Sequence, residues 1–157
     1  LVGDNGSGKT TLVRRIVRNL PDATRLLYIP QEPDESQKRE VLRTIRKLSA
    51  ARLGRVLSIV AQLNSNPDRI LEGDVVSPGE MRKLMLALGI LESPELVIMD
   101  EPTNHLDLGS TGAIEHLLST YPGALMLVSH DAALLGSATG VTWKIEATAG
   151  GYKLTVG

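Results

Sequence analysis

The sequence predicts an α/β fold in which helices flank a mostly parallel sheet. Short apolar runs alternate with amphipathic segments along the 157 residues, which is typical of α/β layering. Leu96–Met99 and Ala124–Val128 are continuously apolar, as expected for parallel strands that are covered on both faces. A hydrophobic content of 42% with 22% charged residues is ordinary for a globular chain, so a buried sheet is feasible.

The remaining elements follow from periodicity. Apolar residues three and four apart indicate helices, as at Leu12 and Ile16 in the first one. Apolar and polar residues alternate on both sides of Gly150-Gly151, which indicates a hairpin. In chain order, we predict a helix at Thr10–Asn19, a strand at Arg25–Ile29, two helices within Gln37–Leu63, helices at Ser77–Glu92 and Ser110–Thr120, and a closing hairpin of Val141–Ala147 and Tyr152–Val156.

Bulk properties exclude several classes of protein. A net charge of −1 gives no global attraction to nucleic acid or anionic membrane. No cysteine is present, so there is neither a disulfide framework nor a thiolate metal site, which suits the cytoplasm. No apolar run approaches the ~20 residues that span a bilayer, and we expect no membrane insertion.

A phosphate-binding loop is predicted at the start of the chain. Gly3–Thr10 reads GDNGSGKT and matches G-x-x-x-x-G-K-[ST] between a strand end and a helix start. Backbone N–H groups and the helix N-terminus would bind the phosphates of ATP, Lys9 would contact the β- and γ-phosphates, and Thr10 would ligate Mg²⁺. The alternative is a simple glycine-rich turn. The nucleotide-binding residues predicted here are Gly3, Asp4, Asn5, Gly6, Ser7, Gly8, Lys9, Thr10 and Thr11.

Two carboxylates end the apolar strand at Leu96–Met99. Ligands bind at the carboxyl ends of parallel strands, so Asp100 and Glu101 should face the same crevice as the phosphate loop. Asp100 fits a carboxylate that holds Mg²⁺ through water. Glu101 could act on the attacking water as a general base. Two solvated acids at a strand-to-turn junction are the alternative.

The residues that follow carry a family resemblance. Asp100–Asp107 reads DEPTNHLD, which resembles the F subfamily (ABC-F) of ATP-binding-cassette proteins, a branch that lacks membrane spans and acts on ribosomes. Transporter cassettes usually carry Ser-Ala where this chain has Asn104-His105. The resemblance covers nearly the whole chain. It implies a P-loop NTPase fold of the ABC type over 1–157, with a RecA-like core (1–35 and 77–157) and an inserted helical subdomain (36–76).

The resemblance also implies roles for further residues. Gln31 matches the Q-loop glutamine, a contact of Mg²⁺ and water, and His130 matches the switch histidine. Asp107 matches the D-loop. Ser77, Gly79 and Glu80 match the signature loop, which contacts the γ-phosphate held by a second ABC domain, in tandem or in a homodimer. The predicted catalytic residues are Glu101, His130 and Gln31, and the predicted metal site is Thr10, Gln31 and Asp100.

Each of these matches has a structural alternative. Ser77-Pro78-Gly79-Glu80 is also a capping box with proline in the first turn, so it could simply begin a helix. Gln31 could be a solvated turn residue, and His130 a structural histidine. The chain also departs from the usual family pattern at four positions. Val76 replaces the usual leucine and Pro78 the usual glycine, while Lys83 and Ala132 each replace an arginine.

The resemblance further implies an aromatic residue on the first strands that stacks on adenine. Leu1–Gly3 resembles the end of a strand, and no aromatic precedes the phosphate loop. We therefore expect the N-terminal antiparallel part of the domain to be missing. Adenine recognition should be incomplete, and the isolated chain should bind nucleotide weakly.

A basic block lies in the predicted helical subdomain. Between Ser36 and Val60, seven basic residues face one acid, Glu40. Such a run is usually a solvated helix face, but it could contact ribosomal RNA. Three functions thus stay open: the ATPase domain of a ribosome-associated ABC-F protein in translation or antibiotic resistance, the ATPase component of a membrane ABC transporter, and an ATP-binding switch with little turnover.

Overall fold

The computed structural model describes residues 1–67, 77–149 and 151–157. Its elements alternate in the predicted order. In chain order they are α1 (Lys9–Asn19), β1 (Leu26–Ile29), α2 (Glu35–Lys47), α3 (Ala50–Gln62), α4 (Pro78–Ile90), β2 (Leu96–Asp100), α5 (Leu108–Ser119), β3 (Ala124–Val128), α6 (Ala132–Ala138), β4 (Trp143–Thr148) and β5 (Gly151–Val156).

Strands β1, β2 and β3 form a parallel sheet with β2 at its centre. Val97 and Met99 of β2 are fully buried against one face, which is covered by α4, α5 and α6. Ile98, between them, is fully buried in a second cluster with Val13 of α1. Both faces of β2 are therefore covered, and the prediction of an α/β fold with a mostly parallel sheet is confirmed.

Helices α2 and α3 pack on α4 rather than on the sheet. Their buried side chains Ile45, Val56 and Val60 form a cluster with Leu84 and Ala87 of α4. Because α4 is covered on this side and by the sheet on the other, it needs no polar face. The chain boundaries 36–76 of the predicted subdomain stay a prediction, and residues 68–76, which include Val76, lie outside the described residues.

The first two residues join the sheet to the closing hairpin. The nitrogen of Leu1 donates to the carbonyl of Leu127 in β3 at 2.5 Å. On the other side, the N–H of Val2 donates to Trp143 O at 2.8 Å, and the carbonyl oxygen of Val2 accepts from Ile145 N at 2.9 Å. Strands β4 and β5 pair antiparallel, as predicted, while Gly150 of their turn lies outside the described residues. The phosphate loop thus leaves the sheet between β3 and β4.

Several element ends lie one or two residues from their predicted positions, and one element was not predicted. Arg25 is not part of β1, although its carbonyl accepts hydrogen bonds from Glu95 and Leu96. Helix α6 was not predicted because it has only seven residues, too few for a clear periodicity. Its N-cap is Asp131, whose carboxylate accepts from the backbone N–H groups of Ala133 and Leu134. In the described residues, no helix is long and apolar enough to cross a membrane.

Candidate functional site

The phosphate loop leads directly into helix α1. Gly8, the residue before the helix, has φ of +91°, a left-handed conformation that glycine adopts without strain. At Gly3 a Cβ atom would overlap the carbonyl oxygen of Ile145 in β4. The loop therefore needs glycine at both positions. It presents the N-terminus of α1, whose first N–H groups have no partner within the helix, to the adjoining cavity.

Lys9 folds back over the loop that precedes it. Its Nζ donates to the carbonyl oxygens of Gly3 at 2.6 Å and Asp4 at 3.0 Å. The same Nζ lies 3.5 Å from Nε2 of His130, which follows β3. The ammonium group is thus located between the phosphate loop and the carboxyl end of the sheet.

Thr10 and Asp100 meet at the base of the cavity. The Thr10 hydroxyl donates to Oδ2 of Asp100 over 3.4 Å. Asp100 is 6% exposed, and burial raises the pKa of its carboxyl, opposed by the bond from Thr10 and by the charge of Lys9. A hydroxyl and a carboxylate oxygen this close provide the oxygen ligands that Mg²⁺ prefers. The described residues contain no cluster of three or more His, Cys, Asp or Glu around one point.

Glu101 has an unusual backbone conformation. Its φ is +49°, in the left-handed region that few residues other than glycine adopt. Its N–H donates to Val128 O of β3 at 2.7 Å, which continues the sheet one residue beyond β2. From this position Oε1 of Glu101 lies 3.6 Å from Nε2 of His130. Strain of this kind is often found at functional sites.

One cavity of about 530 Å³ brings most of the predicted residues together. It is lined by two residues that were not predicted, Asn104 and Tyr152, and by Asn5, Gly6, Gly8, Lys9, Thr10, Thr11, Gln31, Asp100, Glu101 and His130. Gly3, Asp4 and Ser7 belong to the loop but do not line this cavity. The catalytic and metal candidates of the sequence thus all border a single space.

Tyr152 reaches the cavity from the far end of the chain. It is the second residue of β5, and its side chain is 64% exposed. A Cβ placed on Gly8 would lie 3.7 Å from Cε1 of the tyrosine ring, so the ring lies beside this glycine of the phosphate loop. No aromatic precedes the loop in the sequence, yet the fold brings one to it. This proximity depends on how the β4–β5 hairpin packs, so the sequence alone did not indicate it.

The predicted signature residues lie together elsewhere on the surface. Ser77, Gly79, Glu80 and Asp107 line a separate cavity of about 230 Å³. The capping box predicted at Ser77 is present, with Glu80 N donating to Ser77 Oγ at 3.2 Å and Ser77 N donating to Glu80 Oε2 at 2.9 Å. None of these residues lines the larger cavity, so within one chain they are apart from the phosphate loop.

Asp107 caps the following helix, α5. Its carboxylate accepts from the hydroxyl of Ser110 at 2.5 Å and from the backbone N–H of Ser110 at 2.9 Å. These bonds hold the pKa of the Asp107 carboxyl at about 2. Nearby, the buried Lys83 donates to Ser110 Oγ at 2.6 Å and to Ser65 Oγ at 2.9 Å, which joins α4 to α5 and to the end of α3.

Comparison with known proteins agrees with this geometry. The family model described as "ABC transporter" matches residues 1–104, two thirds of the chain. The chain belongs to the ABC transporter family. As an ABC domain it is an ATPase, and the enzyme class predicted from the phosphate loop is confirmed.

Relatives of this ABC domain fall into more than one functional group. It is 32% identical to the ATP-binding protein Uup of Caulobacter vibrioides, over 88% of this chain and 24% of that protein. It is 31% identical to the zinc import ATP-binding protein ZnuC of Pseudomonas fluorescens, over 88% of this chain and 59% of that protein. It is 33% identical to the ribosome protection protein VmlR of Bacillus subtilis, over 88% of this chain and 27% of that protein.

Solved structures have the same fold. The ATP-binding subunit of an ABC transporter superposes with a TM-score of 0.70 at 23% identity, covering 99% of this chain and 76% of that one. The chain spans a quarter to three fifths of the length of the relatives named above. The ABC ATPase fold is therefore established for this domain.

Proposed function

We propose that this domain binds Mg-ATP and hydrolyses it to ADP and phosphate as one half of a head-to-tail pair of ABC domains. One observation carries the proposal: side chains from the start of α1 and from the carboxyl ends of β1, β2 and β3 converge on the cavity beside the phosphate loop. They are Lys9, Thr10, Gln31, Asp100, Glu101 and His130. Such phosphoryl transfer depends on positioning and charge stabilisation more than on covalent chemistry, and this set supplies both.

The phosphate end of ATP would bind at the start of α1. Asn5, Gly6 and the residues from Gly8 to Thr11 line the cavity, and the helix N-terminus favours negative charge there. Lys9, which contacts the carbonyls of Gly3 and Asp4, would contact the β- and γ-phosphates instead. Thr10 and Asp100 would hold Mg²⁺, Asp100 through water, and the ion would neutralise charge that develops on the phosphates.

The attacking water would be activated at the carboxyl end of β2. Glu101 lies beside His130, and both line the cavity with Gln31. Glu101 would accept a proton from the water, while His130 and Gln31 would orient it toward the γ-phosphate. The signature residues Ser77, Gly79 and Glu80 line a different cavity of the same chain, and we assign them to the nucleotide of a partner domain.

Substitution of Glu101 tests the hydrolysis. In the native protein, Glu101→Gln should reduce the rate of ATP hydrolysis by about 100-fold or more, because a general base contributes that much, while ATP binding persists. Glu95→Gln is a matched control, since Glu95 precedes the opposite end of the same strand and pairs with Arg25 at the surface. Hydrolysis by Glu101→Gln at the rate of the control would contradict the assignment. A wild-type protein that binds ATP without turnover would instead favour the switch.

We further propose that the protein is a cytoplasmic ABC-F protein that acts on the ribosome. Asn104-His105 supports this choice over a transporter, and Asn104 lines the nucleotide cavity. The basic helices α2 and α3 provide a surface for ribosomal RNA. Lys38, Arg43 and Arg52 pair with carboxylates, while Arg39, Arg46, Lys47 and Arg55 have no ion pair within the described part of the chain. A relative, VmlR, is itself a ribosome protection protein.

Charge reversal tests the ribosome proposal. Reversal of the exposed Arg43, Arg46 and Lys47 to glutamate should weaken ribosome binding and reduce its dependence on salt, because fewer phosphates are contacted. The matched control reverses three exposed arginines elsewhere, at positions 15, 18 and 25. Equal binding by both triple variants would contradict a role for this face.

A transporter ATPase is the second candidate. The similarity to ZnuC, a zinc import ATP-binding protein, supports it. In that case the protein purified from its native cells should remain with a membrane-embedded partner in detergent and should not sediment with ribosomes. Sedimentation with ribosomes, sensitive to Arg43 and its neighbours, would contradict the transporter.

A further inference from the structure

Arg82 is a buried cation in α4 that bonds to the loops of the site. Its side chain is 2% exposed. Nη1 donates to the main-chain carbonyl of Glu101 at 2.8 Å and to that of Asn104 at 3.0 Å, and Nη2 donates to the carbonyl of Gln31. Its partners are thus peptide oxygens in the two loops that follow β1 and β2, rather than a side-chain carboxylate.

This arrangement is a poor one for stability alone. A buried guanidinium loses its hydration, and within the described residues Arg82 has no ion pair and its Nε has no hydrogen-bond partner. Burial lowers the pKa of Arg82, and the charges of Asp100, Glu101 and Glu32 oppose that effect. An apolar side chain of similar size would avoid the loss of hydration but would leave the three carbonyls without this donor. The value of arginine here is therefore geometric, since its planar fork reaches several carbonyls at once.

The carbonyl of Glu101 is the important one of the three. The residue has φ of +49°, and its N–H is bound to Val128 O. Its carbonyl accepts from Arg82 Nη1 and from Asn104 N at 3.2 Å. With both peptide groups held, the direction of the Cα–Cβ bond of Glu101 is set, and from this backbone position the carboxylate lies 3.6 Å from Nε2 of His130. Without Arg82, the left-handed backbone could relax and the carboxylate would move.

We propose that Arg82 is a positioning residue for hydrolysis: it holds the backbone of Gln31, Glu101 and Asn104 so that the Glu101 carboxylate is aimed at the attacking water. The inference rests on the proposed role of Glu101 as general base. It also connects two parts of the domain, because α4 begins at the signature residues and carries Arg82 two residues after Glu80. A shift of this helix in a paired domain would reach Glu101 through the guanidinium.

The test compares Arg82→Ala and Arg82→Lys with Leu84→Ala in the native protein. Leu84 is a matched control because it lies on the same helix, is fully buried, and packs toward α2 and α3. Arg82→Ala should lower kcat by about 100-fold, the effect of a misplaced catalytic group, with little change in the Kd of ATP. Arg82→Lys should recover only part of this loss, since an ammonium lacks the fork. Added methylguanidinium should restore turnover to Arg82→Ala and not to Leu84→Ala.

The outcomes distinguish the positioning role of Arg82 from the role of Glu101 as general base. The positioning role is overturned if Arg82→Ala loses no more kcat than Leu84→Ala at temperatures where both are folded, or if its loss is in ATP affinity. If Arg82→Ala does not fold, Arg82→Lys decides: full kcat in this variant overturns the role. Full hydrolysis by Glu101→Gln would overturn the proposed role of Glu101 as general base, whatever the Arg82 variants do.

Discussion

Nε2 of His130 lies 3.6 Å from Oε1 of Glu101, although the two residues follow different strands of the sheet. The same imidazole nitrogen is 3.5 Å from Nζ of Lys9. A single side chain after β3 is therefore adjacent to the proposed base and to the proposed phosphate ligand. This position suits a residue that senses the γ-phosphate and orients the water beside it.

Removal of the imidazole should affect turnover more than binding. We expect His130→Ala to reduce kcat by about 100-fold, the lower range for a residue that assists proton transfer, with a small change in the Kd of ATP. Steady-state kinetics and calorimetric titration measure the two quantities. His116→Ala is the control, because His116 is exposed on α5. Equal kcat in the two variants would show that His130 is structural.

The buried Asp100 should oppose folding while it supports metal binding. Burial raises the pKa of its carboxyl in the folded protein. The folded state is therefore more stable at low pH, where this group is protonated, and part of that stability is lost as the pH rises through the folded-state pKa. Asp100→Asn should therefore raise the Tm of the nucleotide-free protein at neutral pH. It should also weaken Mg²⁺-dependent ATP binding by about 10- to 100-fold, as for other outer-shell ligands. Asp22→Asn, at an exposed position, should change neither; a lower Tm for Asp100→Asn would contradict the argument.

The tyrosine beside the phosphate loop should contribute to nucleotide affinity. Tyr152→Leu should raise the Kd of ATP by about 2- to 10-fold, the range expected for one aromatic contact. Leu154→Ala is the control, because Leu154 is exposed two residues further along β5. Unchanged ATP affinity in Tyr152→Leu would show that its ring makes no contact with the nucleotide.

Asp107 should stabilise the domain in a defined range of pH. Bonds from the Ser110 hydroxyl and N–H lower the pKa of its carboxyl from the ordinary 3.8 to about 2. A lowered pKa gives stability that is present above the ordinary value and is lost as the pH falls toward 2. Asp107→Ala should thus have a lower Tm than the native protein at neutral pH, and the difference should shrink between pH 4 and pH 2. A constant difference over this range would contradict the assignment.

The sequence predicted the parts of the site that depend on contiguous residues. Lys9 and Thr10 follow from one loop motif, and Asp100 and Glu101 follow from a strand that ends in acids. Both pairs line the same cavity, because parallel strands place their carboxyl ends at one edge. Arg82 was not predicted. A basic residue in a helix normally extends into solvent, and its burial depends on two loops that are 51 and 19 residues away in sequence.

The aromatic residue beside the phosphate loop shows the same difference between what the sequence predicts and what the tertiary structure adds. No aromatic residue lies within the phosphate loop or in the helix that follows it. The hairpin brings Tyr152 to Gly8 because Val2 pairs with β4, so β5 returns toward the loop. Weak nucleotide binding by the isolated chain stays a prediction, and the tyrosine gives a specific contact with which to examine it.

The sequence by itself determined the family fold, the phosphate loop, the acidic end of β2 and the capped start of α4, because each is encoded by periodicity or by a short motif. Only the tertiary structure decided that His130 meets Glu101 and Lys9, that Arg82 holds three peptide carbonyls, and that Tyr152 lies beside the loop. These contacts join segments that are distant in sequence. They form only when helices pack on both faces of the sheet and bring the loops at its carboxyl edge together.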